Sequence, residues 1–396
     1  MVRLGGNKSY ALLMLAKFQS AADVALDGLG RARHSGLQAS WWATVLAFNA
    51  AEALLAGGRT AEAAALIDPL TTGPPDRFHH AAHEARAEID LLRGDMDAAV
   101  RRRQQIDALF AGVRHVEWAR RSARGAAELA LWTGRPGDAL AEVRPVLPLF
   151  KTPDLAVFCG WLLAAGMRAC ADLAEQARAR RDEPAAEAAA AAADGLASWV
   201  GQVGGAPFTG HPFVATIPAE RATWDAERTR LTGPSDSDAW SAAAGAWQHL
   251  GCPHQAGYAR WRQAQAQLDA RQPASTAGAA LRAAAAAADG HAPLLAQVRL
   301  LAERARIPLQ PRAAAVTEAP LPARARAPYG LTGRELAVLQ LLAAGRTNAQ
   351  IAADLYISPR TASVHVSSIL RKLGVSGRVQ AAAIAERAGL LHQGQP

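Results

Sequence analysis

The sequence is poor in the residues that build sheets and in those that close disulfides. Tyr occurs only four times in 396 residues, and Ile, Val and Thr are sparse, while half the chain is apolar and Ala dominates. That composition favours helices over strands. The three cysteines, Cys159, Cys170 and Cys252, are scattered and odd in number. They exclude a disulfide framework and fit reduced thiols, packed as small apolar residues, in a cytoplasmic protein. A secretory pattern is missing too, since Arg3 and Lys8 precede only a short apolar run at 11–16. No apolar run approaches the ~20 residues that span a bilayer.

Sites for chemistry are equally scarce. The segment GGNKS at 5–9 lacks the spacing of a phosphate-binding loop, because Asn7 stands where Gly is required and no strand precedes it. HHAAHE at 79–84 sets His79 and His83 one helical turn apart but supplies no third ligand, so these read as surface histidines. No Ser/His/Asp set or carboxylate pair stands out. No alternation of strands and helices with clustered Asp marks a phosphorylated receiver. The expectation is therefore no enzyme, no metal and no cofactor.

What the chain has in quantity is helical hairpins. An apolar helix end, a Gly-centred turn and a small or acidic residue before Ala recur as LLAGGRTAEAAALI (54–67), LLRGDMDAAV (91–100) and LWTGRPGDALAEV (131–143), with a Gly-poor version, LAKFQSAADVAL, at 15–26. Glu62, Asp97 and Asp138 stand 35 and 41 residues apart. This is the spacing of degenerate tetratricopeptide-type repeats, in which small Ala after the turn lets two helices approach closely. The ten Trp, from Trp41 to Trp261, all fall in this part and read mainly as packing between helices, some of them lining a concave groove. Ala tracts at 185–193 and 283–288 read as helix interiors, with Pro184 in a first turn. The Gly- and Pro-rich stretch 201–218 breaks the rhythm, as a loop within the solenoid or as a boundary. Five prolines between 307 and 328 read as an extended linker.

Net charge is +8, unevenly spread: residues 329–396 carry seven Arg and Lys against three Asp and Glu, the other 328 residues 36 against 32. The denser positive charge of the tail suits a polyanion. Its helices also carry start and stop signals. Thr332 with Glu335, and Thr347 with Gln350, form capping boxes, and Gly345 ends the first helix. Ser358 caps a third helix over 359–373, with Pro359 in its first position. Ala362, Val366, Ile369, Leu370 and Leu373 make its buried stripe. The opposite face carries Arg360, Ser363, Val364, Ser367 and Arg371. Arginines at the ends can reach phosphates, and short side chains between them can approach base edges. Gly374 ends this helix, and Ser376 is expected to cap an unusually apolar fourth helix, suited to packing on the domain and on a dimer mate.

On Leu331, Thr332, Arg334, Glu335, Val338, Leu339, Gly345, Asn348, Ile351, Leu355, Thr361, Val364, His365, Lys372, Leu373, Gly374 and Val375, among others, the tail resembles the LuxR-type helix-turn-helix domain of bacterial transcription regulators. The sigma-factor region that reads promoter −35 elements shares the opening pattern but not His365 or the Lys372–Val375 close. The resemblance implies that Thr347 and Asn348 meet phosphate at a helix N-terminus, where free N–H groups favour an anion. It further implies that Thr361, Arg371 and Lys372 meet phosphates, and that Ser363, Val364 and Ser367 face bases. Many relatives carry Lys or Arg where Ser363 stands. A serine cannot grip guanine bidentately, so preference would rest more on DNA shape. The segments 49–63 and 246–268 resemble the tetratricopeptide-like part of the large ATP-binding LuxR-type regulators, which implies the last two parts of that layout without the first.

The reading is an all-α protein: a tetratricopeptide-like solenoid over 1–306 with a possible break at 201–218, a linker over 307–328, and a LuxR-type domain over 329–392 with its helix-turn-helix core at 347–366. The expected partners are double-stranded DNA, a second copy of the chain, and RNA polymerase, an effector protein or a small ligand. The alternatives are a helical-repeat interaction scaffold whose tail, with Ser363 and Ser367, binds DNA weakly or without specificity, and an ATP-hydrolysing regulator.

Overall fold

The computed structural model describes residues 2–76, 78–109, 116–310, 329, 331, 333–355, 359–388 and 390; the side chains of 116–118, 333, 334, 353 and 359–361 lie outside that description. The chain forms two compact units, Met1–Arg312 and Ala313–Pro396. Among the described residues the regular elements are helical, and a single isolated bridge joins His211 to Val214. The all-α class expected from composition is the class observed. Most of the proposed linker, with Thr332, Ser358 and the extreme C-terminus, falls outside the described residues.

The first unit is a row of antiparallel helices. They run α1 (Val2–Met14), α2 (Phe18–His34), α3 (Trp41–Ala56), α4 (Thr60–Ile67), α5 (His80–Arg93), α6 (Met96–Leu109), α7 (Val116–Trp132) and α8 (Pro136–Val143). A short α9 (Pro153–Ala156) leads into α10 (Gly160–Arg180) and α11 (Glu183–Gln202). Then follow α12 (Ile217–Thr229), α13 (Ser237–His249), α14 (Pro253–Asp269), α15 (Ala274–Ala287) and α16 (Ala292–Ala305). Sequential neighbours pack in tetratricopeptide-like hairpins, and the row curls until α16 meets α5. Thr60 Oγ1 donates to the Gly290 carbonyl at 3.3 Å across that closure.

One device makes most of the turns. The residue after the helix adopts left-handed backbone, and the next N–H bonds back five residues, closing the orphan carbonyls of the last turn. Arg59 N donates to Leu54 O, Asp95 N to Asp90 O and Arg135 N to Ala130 O, each at 2.8 or 2.9 Å. Gly58, Gly94 and Gly134 take the left-handed position, with φ of 75°, 85° and 73°. The Gly-poor version does the same with Ala16 (φ 51°), as do Arg181 after α10 and Arg271 after α14 (φ 57° and 54°). The repeat device therefore extends beyond the turns that glycine marks.

The core is built from small residues at helix crossings. α10 is its spine, with Leu162, Leu163, Met167 and Cys170 almost completely buried. The stretch Pro153–Arg180 is long and apolar enough to cross a membrane, contrary to the expectation that no run approaches that length; 78% of its most apolar window is buried inside the protein, where α10 packs on α7, α8, α11 and α12. All three cysteines are buried and unpaired. Within the stretch 201–218, residues 203–216 form a loop inside the first unit that holds one 3₁₀ turn, Ala206–Phe208, and the ends belong to α11 and α12. Pro184 sits in the first turn of α11, whose cap is Asp182, accepting from Ala185 N at 3.1 Å. The Gly5–Gly6 pair lies within α1, against Leu46 and Trp42.

His83 departs from expectation. It is 1% exposed rather than on the surface, because α6 covers it and Arg102 contacts its Nδ1 at 3.0 Å. Most indoles serve packing, as expected. Trp240 and Trp247 are buried and donate to Ser235 Oγ and Thr223 Oγ1 at 2.7 and 2.8 Å.

Among the described residues the second unit has four helices: α17 (Gly333–Ala343), α18 (Asn348–Asp354), α19 (Pro359–Leu373) and α20 (Arg378–Arg387). Val338, Leu339, Ile351, Ala362, Ile369, Ala381 and Ala385 close its core. Gly345 and Gly374 take left-handed backbone after α17 and α19. Gly377, not Ser376, is the cap residue of α20; Ser376 instead donates its N–H to Gln380 Oε1 at 3.3 Å.

Candidate nucleic-acid interface

α18 opens on the expected capping box. Thr347 Oγ1 accepts from Gln350 N at 3.3 Å, and Gln350 Oε1 accepts from Thr347 N at 2.9 Å. Asn348 stands in the first turn beside them, and its Oδ1 accepts from Arg378 Nη2 at 2.9 Å. Arg378 lies 30 residues away, at the start of α20, and adds a cation to the anion-favouring end of α18. Only the fold brings it to Asn348.

α19 carries the stripe its sequence shows. Ala362, Val366, Ile369 and Leu373 are buried, while Ser363, Val364, Ser367 and Arg371 are exposed, Val364 by 63%. From Ser363 to Arg371 the face covers roughly 12 Å of helix axis, about the width of a major groove. Ser367 Oγ donates to the Ser363 carbonyl at 3.0 Å, so the two exposed serines belong to one helix turn. His365, half-buried, lies between the two faces. Arg360 and Thr361 stand at the start of α19, with side chains outside the described set.

Two residues have roles that local pattern did not show. Glu335 is 5% exposed, and its oxygens accept from Ser368 Oγ at 2.8 Å and Lys372 Nζ at 2.6 Å. The carboxylate read as half of a capping box thus ties α17 to α19. Lys372, read as a phosphate contact, pairs within the domain.

The model of the family described as bacterial regulatory proteins, luxR family, matches residues 330–385. Spore germination protein GerE of Bacillus subtilis (strain 168) is 47% identical over 51 residues, 13% of this chain and 69% of that protein. The chain belongs to the LuxR family. It is a family of regulatory proteins rather than enzymes. The LuxR-type match is confined to the C-terminal unit. There, transcriptional regulatory protein LiaR of Bacillus subtilis (strain 168) is 47% identical over 62 residues, and nitrate/nitrite response regulator protein NarP of Escherichia coli (strain K12) is 55% identical over 51 residues. The chain spans 29% and 24% of the length of those two relatives, and the matches take in 16% and 13% of this chain. Among solved structures, the Rap protein complexed with competence and sporulation factor is similar with a TM-score of 0.42 and 9% identity, covering 94% of this chain and 97% of that one.

Proposed function

We propose that the protein is a cytoplasmic transcription regulator that binds double-stranded DNA as a dimer, with α19 of each copy in a major groove and half-sites about one helical turn apart. The observation that carries this reading is the outer face of α19: short, exposed Ser363, Val364 and Ser367 ending in Arg371. Val364 supplies an apolar contact for a thymine methyl, and the serines approach base edges without clashing. Thr347 and Asn348 meet a phosphate at the start of α18, helped by Arg378, and Arg360, Thr361, Arg371 and Lys372 meet others. α20 leaves Val379 80% exposed, an apolar contact for a second copy. The solenoid takes an effector or partner, such as RNA polymerase, an effector protein or a small ligand. Buried, unpaired thiols suit a reducing compartment.

A second reading, an interaction scaffold with a weakly specific tail, is favoured by the two serines where bidentate readers would stand. Electrophoretic retardation of genomic fragments over a salt series separates the two. Retardation that survives excess competitor DNA supports the regulator; retardation that any competitor removes supports the scaffold.

A further inference from the structure

The hollow of the curled solenoid encloses a cavity of about 310 Å³, within the size range that takes small organic ligands. Helices from α1 to α14 and the turn before α16 contribute to its wall, so no local stretch of sequence marks it.

Its lining is unusual in three ways. First, α7 points Arg120 and Arg124, one turn apart, into the hollow. Arg121 is held by Glu52, at 2.9 and 3.1 Å. Among the described residues, no carboxylate lies within ion-pair distance of Arg120 or Arg124. The Arg124 guanidinium lies 4.5 Å over the Trp161 ring, and that of Arg120 lies 5.9 Å over Phe158. Second, polar atoms on the wall are buried and without a hydrogen-bond partner among the described residues: Trp161 Nε1, Arg168 Nε, Glu84 Oε1 and Gln255 Oε1. Arg168 is 8% exposed. Third, the walls between these groups are aromatic, with Trp132, Trp161, Trp247 and Tyr258 on the cavity.

Arg120 Nη1 donates only one long bond, to the Phe158 carbonyl at 3.4 Å, and guanidiniums without an ion pair beside orphan donors disfavour the empty state, because their desolvation is only partly compensated. Six glutamates also line the hollow, and four of them, Glu52, Glu84, Glu128 and Glu227, face arginine partners. Burial pushes the other two carboxyls up, Glu220 against the pull of Thr216, Arg124 and Arg120 and Glu88 against that of Arg124. What Arg120 and Arg124 lack is an anion within ion-pair distance, and flat apolar surface is the chemistry the walls accept.

We propose that this cavity binds a small aromatic carboxylic acid, its carboxylate held by Arg120, Arg124 and the Trp161 N–H and its ring packed among the tryptophans. Glu84 Oε1 and Gln255 Oε1 accept from any N–H or O–H the ligand carries. This deepens the effector-binding reading of the solenoid by naming the site and the ligand class. It does not depend on DNA binding.

The test is calorimetric and thermal titration of the full chain, without DNA, with benzoate, phenylacetate and indole-3-acetate, each beside its primary amide. At least one acid is expected to bind saturably with one-to-one stoichiometry and to raise the melting temperature, its amide binding roughly tenfold or more weakly. Arg124→Met is expected to cost the acid a similar factor while leaving the empty protein at least as heat-stable, since it removes a half-buried charge that has no ion pair. Arg120→Met serves as a second variant of the same kind. Acids that give neither heat nor a thermal shift, or amides that bind as well as acids, overturn the proposal. DNA retardation by the same preparations is read separately, so loss of either activity is assigned to its own site.

Discussion

Single residues decide more here than their surroundings in sequence suggest. Arg230, 1% exposed, is held by Asp172, Glu175 and Glu227; Arg262 Nη2 adds a bond to Asp172 at 2.9 Å, and Tyr258 donates to Glu227 at 2.6 Å. Burial alone would raise the Asp172 carboxyl, but Arg230, Arg262 and Arg168 outweigh it and bring it down to about 2. Removing the central cation takes the shared ion-pair partner from three carboxylates and, among the described residues, leaves Glu227 with none, so Arg230→Met is expected to lose about 3–5 kcal/mol of stability, read from urea unfolding. The buried histidines set the acid limit. Burial, with His254 and Arg168 nearby, lowers His291 to about 3, and burial with Arg102 lowers His83 to about 4. In the unfolded chain each takes a proton near 6.5. Below that pH the unfolded state binds protons the folded state refuses, and stability falls as pH drops. The loss is up to ~1.4 kcal/mol per pH unit for each histidine. Asp172 adds to the loss only below its ordinary value of 3.8. Glu88 and Glu220, raised by burial, act in the opposite sense, so the histidine share is read by difference: from pH 7 to pH 5 the urea midpoint of His291→Gln is expected to fall less than that of the wild type. Equal changes in the two proteins contradict the burial of a neutral imidazole at His291.

At the scale of elements, glycine made half of the solenoid legible. Gly58, Gly94 and Gly134 announced their turns because left-handed backbone favours a residue without Cβ. Ala16, Arg181 and Arg271 make the same turn without that signature, so their hairpins showed only as apolar periodicity. Ala16 at φ 51° bears the Cβ penalty of this conformation. Ala16→Gly is accordingly expected to raise stability by about 1 kcal/mol, read as a shift in melting temperature, whereas Gly94→Ala lowers it. A destabilised Ala16→Gly protein would show that the turn is not under strain. In the tail the Thr347–Gln350 box, the stops at Gly345 and Gly374 and the apolar stripe of α19 were legible, since these are local signals. What escaped were side chains serving distant elements: Glu335 ties α17 to α19, Arg378 reaches Asn348, and His83 disappears under α6. Each depends on a neighbour at least 19 residues away. The cavity escaped for the same reason, as its cations and its aromatic wall come from helices far apart in the chain.

At the scale of the whole molecule, the family relationship rests on the C-terminal unit, and the first unit supplies bulk and a hollow. The division predicts separable variants. Changes in the solenoid core, such as Arg230→Met, are expected to lower stability without altering the DNA sequence preferred by the folded fraction. Changes on the outer face of α19 are expected to do the reverse. The salt dependence of DNA binding also reports on Lys372. If Arg360, Arg371, Lys372 and Arg378 of both copies neutralise phosphates, the slope of log affinity against log salt is about −7. If Lys372 stays with Glu335, it is about −5.

The central claim is that the exposed face of α19 reads DNA. Its most direct test is fluorescence anisotropy of full-length wild-type protein and Val364→Asp on a DNA site selected from genomic fragments, with excess competitor DNA, across a salt series. Val364 is exposed and outside the core, so the variant keeps its melting temperature while an aspartate meets the groove. The account predicts that wild type retains the site and that Val364→Asp loses it at every salt concentration. Binding by Val364→Asp equal to wild type, or no binding by wild type even at low salt, would contradict it.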